Sequence, residues 1–245
     1  MATVLEYTHQ KSGAIATVSW IAEQLQEVFD FVNVIVDGNT TDLYYSQNYY
    51  LRVMASTSNS FSIKVCGPDG FTECTLFTSA TQNIEQYVRI VKTAKGDVAL
   101  LATNYSNSAT TGIPDNGCLA FVLVKCKHAV SGTEEWGLYA PTDNTVSQNF
   151  YTKLLVTEGT TNVSNNRINA VYTSAGGNKF NVMCGYNPLA PITVLIPIYA
   201  VSSAYVSENT FIMHITPRMY NGDTMINGKH YYCIGLIAML DEAEE

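Results

Sequence analysis

Residues 49–70 of this chain, YYLRVMASTSNSFSIKVCGPDG, indicate its fold class. Tyr49 to Ala55 and Phe61 to Cys66 are short segments rich in β-branched or aromatic residues, as β-strands are. The glycines and aspartate of GPDG at 67–70 can adopt the positive φ that a tight turn requires. This stretch therefore predicts two strands and a turn arranged in series.

The same pattern recurs over most of the chain. Further strands are predicted at 87–92, 98–103, 119–126, 136–140, 150–157, 168–172, 179–184, 193–199, 211–216 and 231–239. Turn signals lie between them: KGD at 95–97, DNG at 115–117, AGGN at 175–178, and NG at 221 and 227. Serial hairpins without intervening helices predict a mainly β fold, an antiparallel β-sandwich or barrel of one or two modules.

One early segment has helical rather than strand periodicity. Its apolar residues recur at intervals of three and four: Val18, Ile21, Ala22, Leu25, Val28, Phe29 and Val32. The pattern predicts one short N-terminal amphipathic helix attached to a β body.

A polar stretch separates two strand-rich halves of the chain. We predict an N-terminal arm and helix at 1–38, a β module at 39–105 and a second β module at 106–245. The boundary is placed at NYSNSATTGIPDN, residues 104–116, which is also compatible with a long surface loop in a single β domain.

Composition restricts the classes of partner. Charged residues make up only 14% of the chain, against roughly a quarter in ordinary soluble domains, and the net charge is −8. A negative chain lacks the electrostatic attraction that nucleic-acid binders use, so DNA and RNA are excluded as expected partners. Apolar runs shorter than the ~20 residues of a membrane helix predict no membrane insertion, and the N-terminus does not resemble a secretory signal peptide. We expect synthesis in the cytoplasm.

Six cysteines lie at positions 66, 74, 118, 126, 184 and 233 without a CxxC pair. Most lie inside apolar strand segments, which predicts buried, reduced thiols. A spacing of eight leaves hairpin disulfides between Cys66 and Cys74 and between Cys118 and Cys126 open.

No local motif predicts catalytic, cofactor-binding or metal-binding residues. The four histidines are too scattered for a zinc site: His9, His128, His214 and His230. There is no GxSxG elbow or phosphate-binding loop, and DGNTTD at 37–42 lacks the final glutamate of a calcium loop. We predict a non-enzymatic protein, although distant residues could still assemble a hydrolase site.

Tyrosine is unusually frequent, with 16 residues and the doublets Tyr44-Tyr45, Tyr49-Tyr50 and Tyr231-Tyr232. On a strand, one ring of each doublet faces the core and the other faces outward. Protein interfaces are enriched in tyrosine, but outward rings also pair across strands of their own sheet.

The combination resembles the virion structural proteins of tailed bacteriophages. The features that carry it are the short arm and helix, the Tyr/Asn/Ser/Thr-rich β body and the closing strand GKHYYCIGLIAMLDEAEE at 228–245. The resemblance implies a β-sandwich or barrel subunit that forms a symmetric oligomer with copies of itself and other virion proteins. It implies a location in the virion, in the tail, baseplate, neck or capsid surface.

These considerations predict an interface group on the helix and its neighbouring tyrosines: Val18, Ile21, Leu25, Phe29, Val32, Tyr44, Tyr45, Tyr49 and Tyr50. Alternatively, the helix covers an open end of its own β domain. Two other functions stay open. One is a receptor- or glycan-binding domain that uses loops 104–116 and 141–148, and the other is a cell-wall hydrolase.

Overall fold

The structure is a computed structural model that describes most of the chain. The described residues are 1–9, 14–57, 60–68, 73–79, 86–104, 118–141, 152–156, 167–168, 194–200, 205–214, 220–235 and 237–242. The chain is mainly β with antiparallel sheets and one short helix, so the predicted fold of sandwich or barrel type is confirmed. The strand predicted at 179–184 lies outside the described residues.

The chain divides into two compact units. The amino-terminal unit contains residues 3–92 and 98–122, and the carboxy-terminal unit contains residues 1–2, 93–97 and 123–245. The predicted boundary at 104–116 lies, apart from Asn104, outside the described residues. The modules expected at 1–38, 39–105 and 106–245 therefore stay a prediction.

The amino-terminal unit contains the helix and two sets of paired strands. Its elements are β1 (Thr3–His9), α1 (Ala14–Val28), β2 (Asn33–Asp37), β3 (Thr40–Tyr44), β4 (Tyr50–Thr57), β5 (Ser60–Cys66), β6 (Cys74–Thr78), β7 (Gln86–Lys92) and β8 (Val98–Asn104). Strands β2 to β6 form a five-stranded antiparallel sheet in chain order. Strand β7 pairs with β1 and β8, and β8 neighbours β9 (Cys118–His128) in the sheet.

The carboxy-terminal unit begins within β9. Its other elements are β10 (Glu134–Pro141), β11 (Thr152–Val156), β12 (Arg167–Ile168), β13 (Val194–Ala200), β14 (Tyr205–His214), β15 (Tyr220–Ile226), β16 (Lys229–Gly235) and β17 (Ile237–Leu240). Neighbouring strands run β9-β14-β17-β16-β15, with β13 on β14 and with β10, β11 and β12 extending from β9.

Helix α1 covers one face of the five-stranded sheet. It packs on β3, β4 and β5 and also contacts β1 and β7. On β4, Leu51 and Val53 are fully buried, whereas Arg52 between them is partly exposed. The sheet is thus apolar on one face and polar on the other, as expected of an antiparallel sheet covered on one side. Each fully buried aliphatic side chain contributes about 1.5–3 kcal/mol to folding.

The helix is shorter than the apolar periodicity predicts. It ends at Val28, and the Phe29 N–H still donates to the Leu25 carbonyl at 2.9 Å. The Val32 N–H instead donates to the Tyr44 carbonyl at 2.8 Å, so this residue has joined the sheet. Placing Val32 on the helix is therefore wrong, because a sheet hydrogen bond has replaced the helical one.

The single strand predicted at 231–239 is wrong. Ile234 pairs with Ile237, so the chain reverses between them and forms the hairpin of β16 and β17. Among the described residues, the sequence pattern also missed five strands: β1, β2, β3, β6 and β15.

The predicted NG turns have different outcomes. Asn227 and Gly228 have φ of 52° and 83° and join β15 to β16, as a two-residue hairpin turn requires. Asn221 and Gly222, in contrast, lie inside β15 and pair with Ile234 and Cys233.

A buried carboxylate anchors the turn at Thr93–Asp97 in the carboxy-terminal unit. This is the predicted KGD turn, and Gly96 takes a φ of 88° there. The fully buried Asp97 accepts hydrogen bonds from the Lys125 N–H at 3.0 Å and from the Thr210 hydroxyl. Burial raises the pKa of Asp97 to about 6. The folded carboxyl therefore keeps its proton at a pH where an ordinary aspartate has lost it.

We expect Asp97→Asn to change how stability depends on pH. Between about pH 4 and 6 the unfolded chain releases the Asp97 proton while the folded chain keeps it, so this group destabilises the fold as pH rises. The free energy of unfolding of Asp97→Asn, measured relative to wild type, should rise by on the order of 3 kcal/mol across this range. Urea unfolding at a series of pH values measures the difference. Asp223→Asn, at an exposed carboxylate, is the control. Parallel pH profiles for wild type and Asp97→Asn would contradict the assignment.

Candidate protein interaction surface

The structure places the nine predicted interface residues in two environments. Six are buried: Val18, Ile21, Leu25, Phe29, Tyr45 and Tyr49. Val32 is 63% exposed, and Tyr44 and Tyr50 are partly exposed. The packing of α1 supports the alternative that the helix covers its own β domain. An interface role for all nine stays a prediction, and the surface available to a partner is formed by the exposed members.

The tyrosine doublets follow the expected alternation only near the helix. Tyr45 and Tyr49 are buried while their neighbours Tyr44 and Tyr50 are partly exposed, which confirms the prediction for these two doublets. Tyr231 and Tyr232 are both buried, so the prediction is wrong for the third doublet. Strand β16 lies between β15 and β17, and Tyr231 packs in a cluster with Ile226, Cys233, Ala238 and Leu240.

The face of the five-stranded sheet opposite α1 carries two partly exposed tyrosines and a row of charged side chains. Its side chains lie opposite one another across β2 to β5, with Tyr44 beside Tyr50 and with Ile35, Asp42, Arg52 and Lys64 in one row. We call these six residues the outer sheet face. They are brought together because residues at alternate positions on neighbouring strands share a face.

An aromatic stack forms one part of the outer sheet face. The rings of Tyr44 and Tyr50 stack with their centroids 4.5 Å apart. The Arg52 guanidinium carbon lies 5.5 Å from the Tyr50 ring centroid, within range of a cation–π contact. Burial raises the pKa of Tyr50 to about 12, with a smaller contribution from Cys66. The phenol therefore stays protonated and neutral at physiological pH.

A two-pronged ion pair fixes the orientation of Arg52. Its Nε and Nη2 donate to the two carboxylate oxygens of Asp42, each at 2.8 Å. The hydrogen bonds to Asp42 raise the pKa of Arg52 above its ordinary value. Both oxygens of Asp42 are thus engaged, which leaves the DGNTTD segment without a free carboxylate at that position. Among the residues that the structure describes, no three His, Cys, Asp or Glu side chains are grouped to hold a metal ion.

A second ion pair lies toward β6. Lys64 Nζ and Glu73 Oε1 are 2.8 Å apart, and the hydrogen bond from Lys64 lowers the pKa of Glu73. The Cys66 thiol donates to the other Glu73 oxygen at 3.7 Å. Since both charges are partly exposed, this pair contributes little to stability and mainly orients its side chains.

Three of the cysteines confirm the prediction of buried, reduced thiols. Cys66, Cys126 and Cys233 are buried and free. Burial raises the pKa of Cys66 and of Cys233 to about 11, which keeps both thiols protonated. Disulfides between Cys66 and Cys74 and between Cys118 and Cys126, left open by the spacing, are therefore absent.

Sequence reasoning missed an apolar edge next to the outer sheet face. Strand β2, at one end of the five-stranded sheet, exposes Ile35 by 46% and Val36 by 70%. Together with Val32 they leave branched aliphatic side chains in contact with water. The run Val34-Ile35-Val36 just before Asp37-Gly38 is the sequence signal that could have found this strand, because it is an apolar β-branched segment followed by a turn.

Two of the remaining sequence-based candidates are loops outside the described residues, and a third is a histidine in a turn. Loops 104–116 and 141–148 lie, apart from Asn104 and Pro141, outside the described residues. His128 uses Nδ1 to accept the Ser131 N–H at 3.0 Å and so holds a turn. Within the described ranges, no helix has the length and apolar character needed to cross a membrane.

Comparison with protein-family models, curated proteins and solved structures finds no match to the chain.

Leu25→Ala tests whether the apolar helix face belongs to the core. We expect it to lower the free energy of unfolding by about 2–5 kcal/mol without changing the oligomeric mass, because Leu25 is fully buried within its own chain. Chemical denaturation and sedimentation velocity measure the two quantities. Val130→Ala, at an 89% exposed position, should change stability by less than about 0.5 kcal/mol. A loss of oligomers by Leu25→Ala at unchanged subunit stability would instead place the helix face in an interface.

Proposed function

We propose that this chain is a non-enzymatic assembly subunit of a phage particle or phage-like tail machine, which acts through repeated protein–protein contacts. The observation that carries the proposal is the outer sheet face, where two stacked tyrosines and an oriented arginine are partly exposed side by side.

The residue types of this face support a protein partner. Tyrosine and arginine are the residues most often found at the energetic centres of protein interfaces. Here Tyr44, Tyr50 and Arg52 are already held by one another and by Asp42. A partner would therefore bind side chains that lose little conformational freedom on contact, and affinity benefits from such preorganisation.

Composition supports an assembly role in a particle. With only 14% charged residues, the surface is built largely from uncharged polar side chains, which are cheaper to desolvate at a contact than charges. The proposal takes its phage context from the resemblance of the arm, helix and Tyr/Asn/Ser/Thr-rich β body to tailed-phage virion proteins. Its partners are then copies of this chain and other virion proteins, and its location is the virion.

Tyr50→Ala tests the outer sheet face. We expect it to weaken binding to other particle proteins by at least about 2 kcal/mol, roughly 30-fold in Kd, because it removes the centre of the stack. Co-purification with proteins from neighbouring genes identifies the complex, and sedimentation velocity measures its Kd. Met225→Ala, at an exposed apolar position on β15, is the matched control and should leave the Kd unchanged. Circular dichroism checks that both variants fold.

Three results would contradict the proposal. One is the absence of any complex with copies of the chain or with the neighbouring proteins. Binding on a glycan array that is lost in Tyr50→Ala would assign the same face to a sugar, and clearance of a peptidoglycan suspension would establish an enzyme.

A further inference from the structure

We propose that strand β2 of one copy pairs antiparallel with β2 of a second copy about a two-fold axis, so that two five-stranded sheets become one. The inference deepens the proposed function and rests on it, because it names the partner and the strand that binds that partner.

Strand β2 is a regular strand with one open edge. All five of its residues pair with β3 without a register shift, and no described strand pairs with its other edge. The Val34 N–H donates to the Asn33 side-chain oxygen at 2.9 Å. A carbonyl oxygen of an added strand can replace this side-chain oxygen as the acceptor. An unpaired edge of this kind is a template for another chain.

The side chains on both faces of β2 favour pairing. Val36 is 70% exposed on the face that α1 shares, and Ile35 is 46% exposed on the outer sheet face. An added strand would cover aliphatic groups on both faces at once, and the removal of apolar surface from water favours association.

The opposite edge of the same sheet, strand β6, is protected against pairing with another strand. Of the two edge strands of this sheet, β2 is therefore the one available to a second copy. Strand β6 pairs with β5 through an irregular register between Ile63 and Lys64, and the Lys64–Glu73 ion pair lies beside it. Bulges and charged side chains are the devices that prevent edge pairing. Strand β2 has no bulge, and its one charged residue is Asp37 at its end.

The sequence of the strand, Asn33-Val34-Ile35-Val36-Asp37, selects a second copy and a register. It has polar residues at both ends and aliphatic residues between them, so it is complementary to itself when reversed. Centred on Ile35, antiparallel pairing places Ile35 opposite Ile35 and Val34 opposite Val36 of the second copy. The Asn33 amide then lies opposite the Asp37 carboxylate, to which it can donate.

Other arrangements of the same strand are less favourable. Parallel pairing in register would place the two Asp37 carboxylates side by side. Antiparallel pairing centred on Val34 would place Asn33 opposite Ile35 and Asp37 opposite Phe31. Like charges or mismatched polarity at opposed positions destabilise a strand pair, so the register centred on Ile35 is selected.

A lysine on the edge tests the pairing. We expect wild type to sediment as a dimer at micromolar concentration and Val36→Lys to weaken that dimer at least roughly tenfold, because it places a charge at an apolar contact. Val130→Lys, at an exposed valine of the carboxy-terminal unit, is the matched control and should leave the mass unchanged. A wild-type monomer, or an oligomer unaffected by Val36→Lys, would overturn the inference. If Val36→Lys still forms complexes with proteins from neighbouring genes, the proposed assembly function stands, whether or not β2 pairs with a second copy.

A cysteine pair tests the register. Opposed residues of antiparallel strands have Cα atoms about 4.5–5.5 Å apart, within the range a disulfide bridges. Under mild oxidation Ile35→Cys should form a covalent dimer on a non-reducing gel in excess of the wild-type background. Of the native cysteines that the structure describes, Cys66, Cys126 and Cys233 are buried. Val34→Cys is the control. In this register position 34 lies opposite position 36 of the second copy and not opposite position 34, so this variant should cross-link far less. Cross-linking of both variants to the same extent, of neither, or of Val34→Cys alone would overturn the register.

Discussion

The width of one helix determines which surfaces of the amino-terminal unit stay open. Helix α1 has 15 residues and packs on the three central strands β3, β4 and β5. A helix with its side chains is about 10–12 Å wide and strands lie about 4.8 Å apart, so one helix covers about two to three strands. Five strands exceed that width. Strand β2 lies outside the width of the helix, so its Ile35 and Val36 meet water or a partner.

The carboxy-terminal unit is organised around a different constraint, a carboxylate taken out of water. A buried Asp97 is unfavourable when ionised, as its raised pKa shows, but its hydrogen bonds to Lys125 and Thr210 join three separate segments. Asp241 acts in the same way on the same turn, since its Oδ1 accepts the Ala94 N–H at 2.8 Å. Two acidic side chains thus hold the turn at Thr93–Asp97. Burial of the ionised Asp97 carboxylate lowers the free energy of unfolding, while its hydrogen bonds fix the geometry of the turn.

Local pattern predicted those features that depend on neighbouring residues along the chain. The burial of Leu25 followed from helical periodicity, and the turn at Asn227-Gly228 followed from the preference of both residues for positive φ. Features that depend on strand order could not be predicted. Val32 continues the helical period yet pairs with the sheet, and Tyr232 is buried together with Tyr231 although neighbouring residues of a strand face opposite sides. The stack of Tyr44 on Tyr50 and the Asp42–Arg52 pair likewise required the register of β3 with β4.

Strand order also explains why the exposed edge position of β2 could not be predicted from the sequence. Val34, Ile35 and Val36 are typical of a buried strand, and nothing in their identity says that β2 lies at an edge. If β2 pairs with itself about a two-fold axis, each copy uses the open edge of β2 and this contact closes at two copies. The two outer sheet faces then lie on the same side of one continuous sheet, so Tyr44, Tyr50 and Arg52 are presented twice. Growth beyond the dimer would need a further contact surface, and the doubled face supplies one.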